Sequence, residues 1–406
     1  MPLIRPFAGL RPATGRAGDV VAPPYDVLDT VEARERARGR PWSFLHVSRA
    51  EIDLPEGTDS YDPAVYRKAA ANLQGMIDAG VLQRDDRPCY YVYRLVMGEH
   101  RQLGLVAAAS VSDYDSNRIR KHEFTRPDKE DDRVRQIESL DAQTGPVLLA
   151  YRSRPEVDAL LESMATGEPD CDLVADDGIA HSLWVVRDAG QVDAVSAAFD
   201  AMDALYIADG HHRSAAASRV AATRAATSDS AGYFLTVIFP HNQMQILDYN
   251  RVVRDLNGMT PEVFLAGLTD RFTVTPVDSA CHPQGPGEFG MYLGGQWYRL
   301  GIHAERVPGD PVGRLDVSVL AENLLAPMLG ITDPRRDRRI DFVGGIRGLA
   351  ELERRVDSGA MQVAFAMYPT RMEDLMAVAD AGHVMPPKST WFEPKLADGL
   401  VSHMLD

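Results

Sequence analysis

Apolar positions along the chain fall into two rhythms, one helical and one strand-like, and their alternation predicts a mixed α/β (α+β) fold. In "YDPAVYRKAAANLQGMIDAGVL", Val65, Ala69, Leu73, Met76 and Ile77 recur at helical spacing, and Gly80 stands where such a helix should stop. "PCYYVYRLVM" and "RQLGLVAAASVSDY" are β-rich runs on either side of the turn-like "GEH" and predict a hairpin. Further on, "SLWVVRD" reads as a strand, "VDAVSAAFDAM" as a helix and "ALYIAD" as a strand. "RSAAASRVAATRAA" follows as an alanine-rich helix, and "YFLTVIFP" as a strand bounded by Pro240. Earlier, Pro23-Pro24 stops the apolar run of "GDVVAPPYDVLD" and imposes a fixed turn that delivers Tyr25 and Asp26.

The pattern changes after "LDYNRVVRDLNGMTPEVFLAGL". There Thr260 is placed to cap a helix and Pro261 to occupy its first position. A boundary near residue 256 is expected, with residues 1–255 as the region bearing the chemistry and residues 256–406 as a C-terminal α+β region packed on it. The latter carries the strand-like "GEFGMYLGGQWYRLGI", the helical "DVSVLAENLLAPML" and the closing "HVMPPKSTWFEPKLADGL". No repeat and no low-complexity tract interrupts the chain.

Composition narrows the function classes. The 406 residues suffice for two or three domains. A net charge of -16, from 43 basic and 59 acidic residues, opposes broad contact with a phosphate backbone, so nucleic acid is not the expected ligand. The three cysteines, Cys89, Cys171 and Cys281, lie too far apart in sequence for a CxxC metal site and suit a reducing compartment. No run has the length of a signal peptide or a membrane span, and a cytoplasmic protein with no membrane partner is expected.

The chemistry concentrates where "ALYIAD" meets the alanine-rich helix, at Asp209-Gly210-His211-His212-Arg213. Gly210 allows a tight turn, and the next three residues stand in the first helical turn. Unpaired backbone N–H groups and the positive end of the helix dipole gather there. That is an anion site, to which the Arg213 fork and the imidazoles of His211 and His212 add donors. Asp209 has the opposite role: it holds a divalent cation beside a bound phosphate, or accepts the proton of an attacking hydroxyl. The plainer reading makes Asp209 a helix cap and the histidines surface groups. Chelation of one ion by the two histidines is disfavoured, because neighbours on a helix point about 100° apart.

A second cluster lies in "NRIRKHEFTRPDKEDDRVRQIESLDAQTGP", where Pro127 marks a loop entering a helix. Lys121, His122, Glu123, Thr125 and Arg126 belong to the loop. Glu123 is the natural partner base, and Lys129 and Arg133, one helical turn apart, are candidate anion clamps. A solvated helix face with i,i+4 pairs is the competing reading. "MPPKSTWFEPK" offers Lys388, Ser389 and Thr390 without the upstream glycines of a Walker loop, so Lys388 is at most a further donor to an anion site.

The ordered motifs "RPFAGLRP", "VAPPYDV", "FLHVSRAEID", "IRKHEFTRPDKEDDR", "TGPVLLAY", "LYIADGHHRSAAA" and "MPPKSTWFEPKL" resemble the domain-of-unknown-function 1015 family over nearly the whole chain. The segment from "VDAVSAAFDAM" to "YFLTVIF" is similar to the ParB and sulfiredoxin-like superfamily, which includes free-serine kinases. That resemblance implies a ParB/sulfiredoxin-like core. It also implies Asp209 and Glu123 as catalytic carboxylates, and Gly210, His211, His212 and Arg213 as phosphate binders; from the second cluster, His122, Lys129 and Arg133 are expected to join them. The absence of a cysteine from the loop sets aside sulfiredoxin chemistry. The expected activity is phosphoryl transfer to the hydroxyl of a small metabolite, L-serine first, from ATP, ADP or pyrophosphate, with Mg²⁺ held at Asp209. A non-catalytic nucleotide sensor and a phosphate-releasing hydrolase stay open, as does a homodimer.

Overall fold

The computed structural model describes residues 2–224 and 227–405. The chain divides into two compact units, Met1–Met244 with Pro394–Asp406, and Gln245–Glu393. The break expected near residue 256 thus falls at Gln245, and the last residues, read in sequence as the end of the C-terminal region, belong to the first unit. Backbone pairing is the reason. Ser402–Met404 lies between Gly9–Pro12 and Ala142–Gln143 in a four-stranded sheet, and Asp398 exchanges both backbone hydrogen bonds with Ala22.

The fold is mixed α/β. Among the described residues, the first unit carries a nine-stranded sheet in the order Ile119–Arg120, Leu205–Asp209, Val147–Tyr151, Tyr233–Pro240, His100–Ser110, Tyr90–Met97, Ala180–Val186, Cys171–Val174, with Ile4–Arg5 also on His100–Ser110. The expected hairpin forms, Tyr91 opposite Val106, and Gly98 turns it with φ +59°. Tyr233–Pro240 pairs antiparallel with His100–Ser110 and parallel with Val147–Tyr151. It is buried at every position, which explains an apolar run with little alternation. Ile119–Arg120 runs parallel to Leu205–Tyr206, so the two strands deliver their following loops at the same end of the sheet.

Helices form where the sequence pattern placed them. Pro63–Asp78 is capped by Asp62, whose carboxylate accepts from Ala64 N at 2.7 Å. It buries Val65, Ala69, Leu73 and Met76, while Ile77 packs at the edge. The alanine-rich helix, His211–Arg224, buries Ala217 and Ala221 in the core of the sheet and Ala216 and Val220 against Ile137 of the helix Pro127–Leu140. Small side chains on this face let the two helices approach closely, and so bring together the two loops that precede them.

The second unit holds a six-stranded sheet ordered Phe272–Val277, Gln296–Ile302, Glu288–Leu293, Val363–Met367, Tyr249–Val253, Ile340–Gly344, antiparallel at each pairing. Thr260 accepts from Val263 N at 3.4 Å as the cap of the helix Pro261–Leu268. "DVSVLAENLLAPML" is less regular than its pattern suggests: Asp316–Leu320 is α-helical, then widens into a π turn at Ala321–Leu325. No helix among the described residues is long and apolar enough to cross a membrane.

Candidate active site

Asp209 ends its strand, Gly210 turns, and the helix opens at His211. Gly210 has φ +97°, and a Cβ there would stand 3.0 Å from Arg213 Nε. Both the backbone and the space therefore call for glycine. The N–H groups of His211, His212 and Arg213 belong to the first helical turn and have no intrahelical acceptor. Asp209 Oδ1 accepts from Gly210 N at 2.9 Å, and Oδ2 from Arg213 Nη2 at 3.3 Å. Its side chain keeps 43% of its exposure, so it closes the turn and still faces outward. Burial works against its charge. The Arg213 guanidinium, then Lys395, the Gly210 N–H and His122 outweigh that and hold the carboxyl below the usual range.

The histidines are turned differently from the sequence expectation. His211 Nε2 accepts from the backbone N–H of His122 at 3.4 Å, and His212 Nε2 accepts from that of Arg126 at 3.1 Å. Each ring spends its acceptor nitrogen on the loop before the helix Pro127–Leu140, which leaves the proton on Nδ1. What the two imidazoles can offer a phosphate is therefore Nδ1–H. That of His211 lies 3.6 Å from Glu123 Oε2. Burial first, then the neighbouring His122, His212, Arg213 and Lys121, push His211 well below the usual imidazole range, and burial lowers His122 to about 4. Burial also lowers His212. Near pH 7 the rings are neutral. The His122 and His211 rings meet edge to face, with centroids 4.5 Å apart.

These contacts bring residues 121–126 against residues 209–213, and with them Glu123 against His211. Lys129 and Arg133 part company. Exposed Lys129 donates to the Tyr61 hydroxyl at 2.6 Å. Arg133 turns inward, its guanidinium 4.1 Å from the Tyr25 ring centroid and its Nε and Nη2 on Asp132 Oδ2. Arg133 and Arg213 line one pocket, open in part to solvent, with Tyr25, Thr144, Gly145 and Asp398. Lys388 belongs to the second unit, where its ammonium stands 5.6 Å from the Tyr249 ring centroid.

Asp398 is the residue that the sequence reading missed. Its signal is a carboxylate in "LADGL", an apolar run whose neighbours are all buried. Only 2% exposed, it accepts from Tyr25 N through Oδ2 at 3.1 Å. Burial raises its carboxyl to about 7 against the opposing pull of Arg213.

Residues 4–318 match a family described as a protein of unknown function, DUF1015. The chain belongs to this family. As a DUF1015 member it has no match among curated proteins. Among solved structures it is similar to a free serine kinase variant in complex with ADP, with 15% identity, a TM-score of 0.35, and 71% of this chain and 87% of that one covered. A conserved hypothetical protein from Pyrococcus furiosus shares 14% identity at a TM-score of 0.34, over 72% and 93% of the two chains. SbnI from Staphylococcus aureus, truncated at its C-terminus, shares 12% at 0.36, over 72% and 85%. Likenesses this loose do not carry an activity across.

Proposed function

We propose that this DUF1015 protein is a phosphotransferase acting on the hydroxyl of a small metabolite, with L-serine the first candidate and a nucleotide or pyrophosphate as donor. One observation carries the reading: an outward-facing, ionised Asp209 and the buried cation of Arg213 share the mouth of a helix whose first N–H groups have no acceptor within the helix. The helix mouth and Arg213 hold the donor phosphates. The acceptor oxygen attacks the terminal phosphorus, the bridging P–O bond breaks, and its electron pair leaves with the shortened donor. The hydroxyl proton passes to Asp209 or to Glu123. In a loose transition state that proton moves late, so a carboxylate of low basicity suffices, and positioning and charge neutralisation provide most of the catalysis.

No group of three or more His, Cys, Asp or Glu side chains able to hold a metal is present among the described residues. That suits Mg²⁺ arriving with a polyphosphate, which needs one or two carboxylates, rather than a resident ion. Asp209 would hold it, and the chemistry it supplies is neutralisation of phosphate charge.

The test is ³¹P NMR of the protein with Mg²⁺ and L-serine, offered ATP, ADP and pyrophosphate in turn, beside Asp209→Asn. A phosphoserine signal that vanishes in the variant is the expected result, and its absence with every donor would sink the reading. A non-catalytic nucleotide sensor is the second reading, favoured by the engagement of both Asp209 oxygens within the turn. It predicts ADP binding, no turnover, and indifference to Asp209→Asn. Phosphate released without serine would instead mark a hydrolase.

A further inference from the structure

The pocket beside the Asp-Gly turn contains polar atoms that the chain leaves unsatisfied. Asp398 Oδ1 is buried without a hydrogen-bond partner, and so is Ser48 Oγ, on a residue 8% exposed that lines the same pocket. A buried carboxylate oxygen with no donor is costly, and a site that tolerates it is shaped for something that brings one. The position of a Cβ on Gly145 lies 3.9 Å from both Asp398 Oδ1 and Arg213 Nη1, so these groups border one corner of the cavity. Arg213 gives Nη1 to Pro146 O and Nη2 to Asp209, and in the phosphotransfer reading what it has left goes to the donor phosphates. Arg133 is not fully spent: Nε and Nη2 go to Asp132, and Nη1 remains. The pocket therefore offers one acceptor for a cationic donor and one cationic edge for an anion. An inorganic anion would satisfy the second and leave Oδ1 bare. A small zwitterion satisfies both.

We propose that the pocket binds a free α-amino acid by its zwitterion, Asp398 Oδ1 accepting from the α-ammonium and Arg133 Nη1 donating to the α-carboxylate. Arg213 joins this pocket to Asp209, so a short hydroxylated side chain is directed toward the Asp-Gly turn. Only the designation of the pocket as the acceptor subsite rests on the phosphotransfer reading; recognition of the zwitterion does not.

Isothermal titration of the full chain tests this with L-serine, glycerate, which lacks the ammonium, and inorganic phosphate. In Asp398→Asn, L-serine affinity should fall by about tenfold or more, the loss of a charge-assisted bond, while glycerate changes by less than about threefold. Circular dichroism and the urea unfolding midpoint of each variant serve as the folding control. Gly145→Ala, which places a methyl group in the same corner, should weaken L-serine and glycerate alike. Unchanged L-serine binding in Asp398→Asn, an equal loss for glycerate, or phosphate binding the wild type more tightly than L-serine would overturn the proposal. L-serine bound with this dependence but never phosphorylated would overturn the phosphotransfer reading alone. Phosphoserine formed by Asp398→Asn at an unchanged KM would overturn the subsite alone.

Discussion

Gly210 and Gly145 approach Arg213 from different directions, and together they separate backbone strain from crowding. Gly210→Ala places an L-residue at φ +97° and a Cβ 3.0 Å from Arg213 Nε and 3.2 Å from Cζ. The conformation alone costs roughly 1–3 kcal/mol. The guanidinium cannot retreat freely, because it donates to Pro146 O and Asp209, and losing one such charged bond costs roughly another 1.5–3 kcal/mol. Gly145→Ala meets Arg213 Cδ at 3.4 Å, an ordinary contact, from a backbone without positive φ. It should be neutral, or stabilising by up to about 1 kcal/mol through the unfolded chain. Equilibrium urea unfolding followed by circular dichroism should thus show the Gly210→Ala midpoint well below wild type and the Gly145→Ala midpoint at or above it. Coincident midpoints for the two variants would refute the strain argument.

His212→Ala removes the acceptor of the Arg126 N–H and should cost about 1 kcal/mol, with amide exchange at Arg126 faster by about fivefold; unaltered exchange would place that bond elsewhere. Lys129→Ala should leave ADP and L-serine affinity within about twofold, since an exposed pair to Tyr61 contributes little, and a large loss would return Lys129 to the anion site. His181 is 3% exposed, shares a hydrogen bond with the Tyr93 hydroxyl at 2.5 Å through Nδ1, and is lowered by burial to about 4. Because its folded value lies below an unfolded one of about 6.5, its contribution is present above pH 6.5 and lost as pH falls toward 4. The loss is roughly 2 kcal/mol at pH 5, and urea midpoints of His181→Asn should lack that acid-dependent component.

Local pattern was legible in this chain where one element decides its own fate. The helix Pro63–Asp78, the hairpin across Gly98, the cap at Thr260 and the turn at Gly210 each follow from spacing and from residues adjacent in sequence. The candidate site stood out for the same reason, as four functional side chains and a glycine crowd a strand-to-helix turn. Their partners were not. His212 is fixed by a backbone amide 86 residues away, and His211 by one 89 residues away, so no local signal tells that their acceptor nitrogens are spent. Lys129 and Arg133 share a helical spacing, but Asp132 and the Tyr25 ring draw only the second inward. Pro394–Asp406 falls with the C-terminal region in sequence because a three-residue strand such as Ser402–Met404 has too short a period to detect.

Arg213 links what the sequence showed to what it did not. It closes the Asp-Gly turn through Asp209, anchors to Pro146 O, and forms a wall of the pocket that holds Asp398. Its charge also pulls two carboxyls the same way: it holds Asp209 low, and it opposes the burial that lifts Asp398 to about 7. A phosphate that draws Arg213 away from Asp209 removes the main influence keeping that carboxyl acidic, and so makes it a better base at the moment a donor is present. The same movement shifts a wall of the pocket beneath. The proposed donor site and the pocket therefore share one mechanical element, and an effect of Asp398→Asn on ADP affinity, or of Asp209→Asn on L-serine affinity, is to be read through Arg213 before any contact between the ligands is invoked.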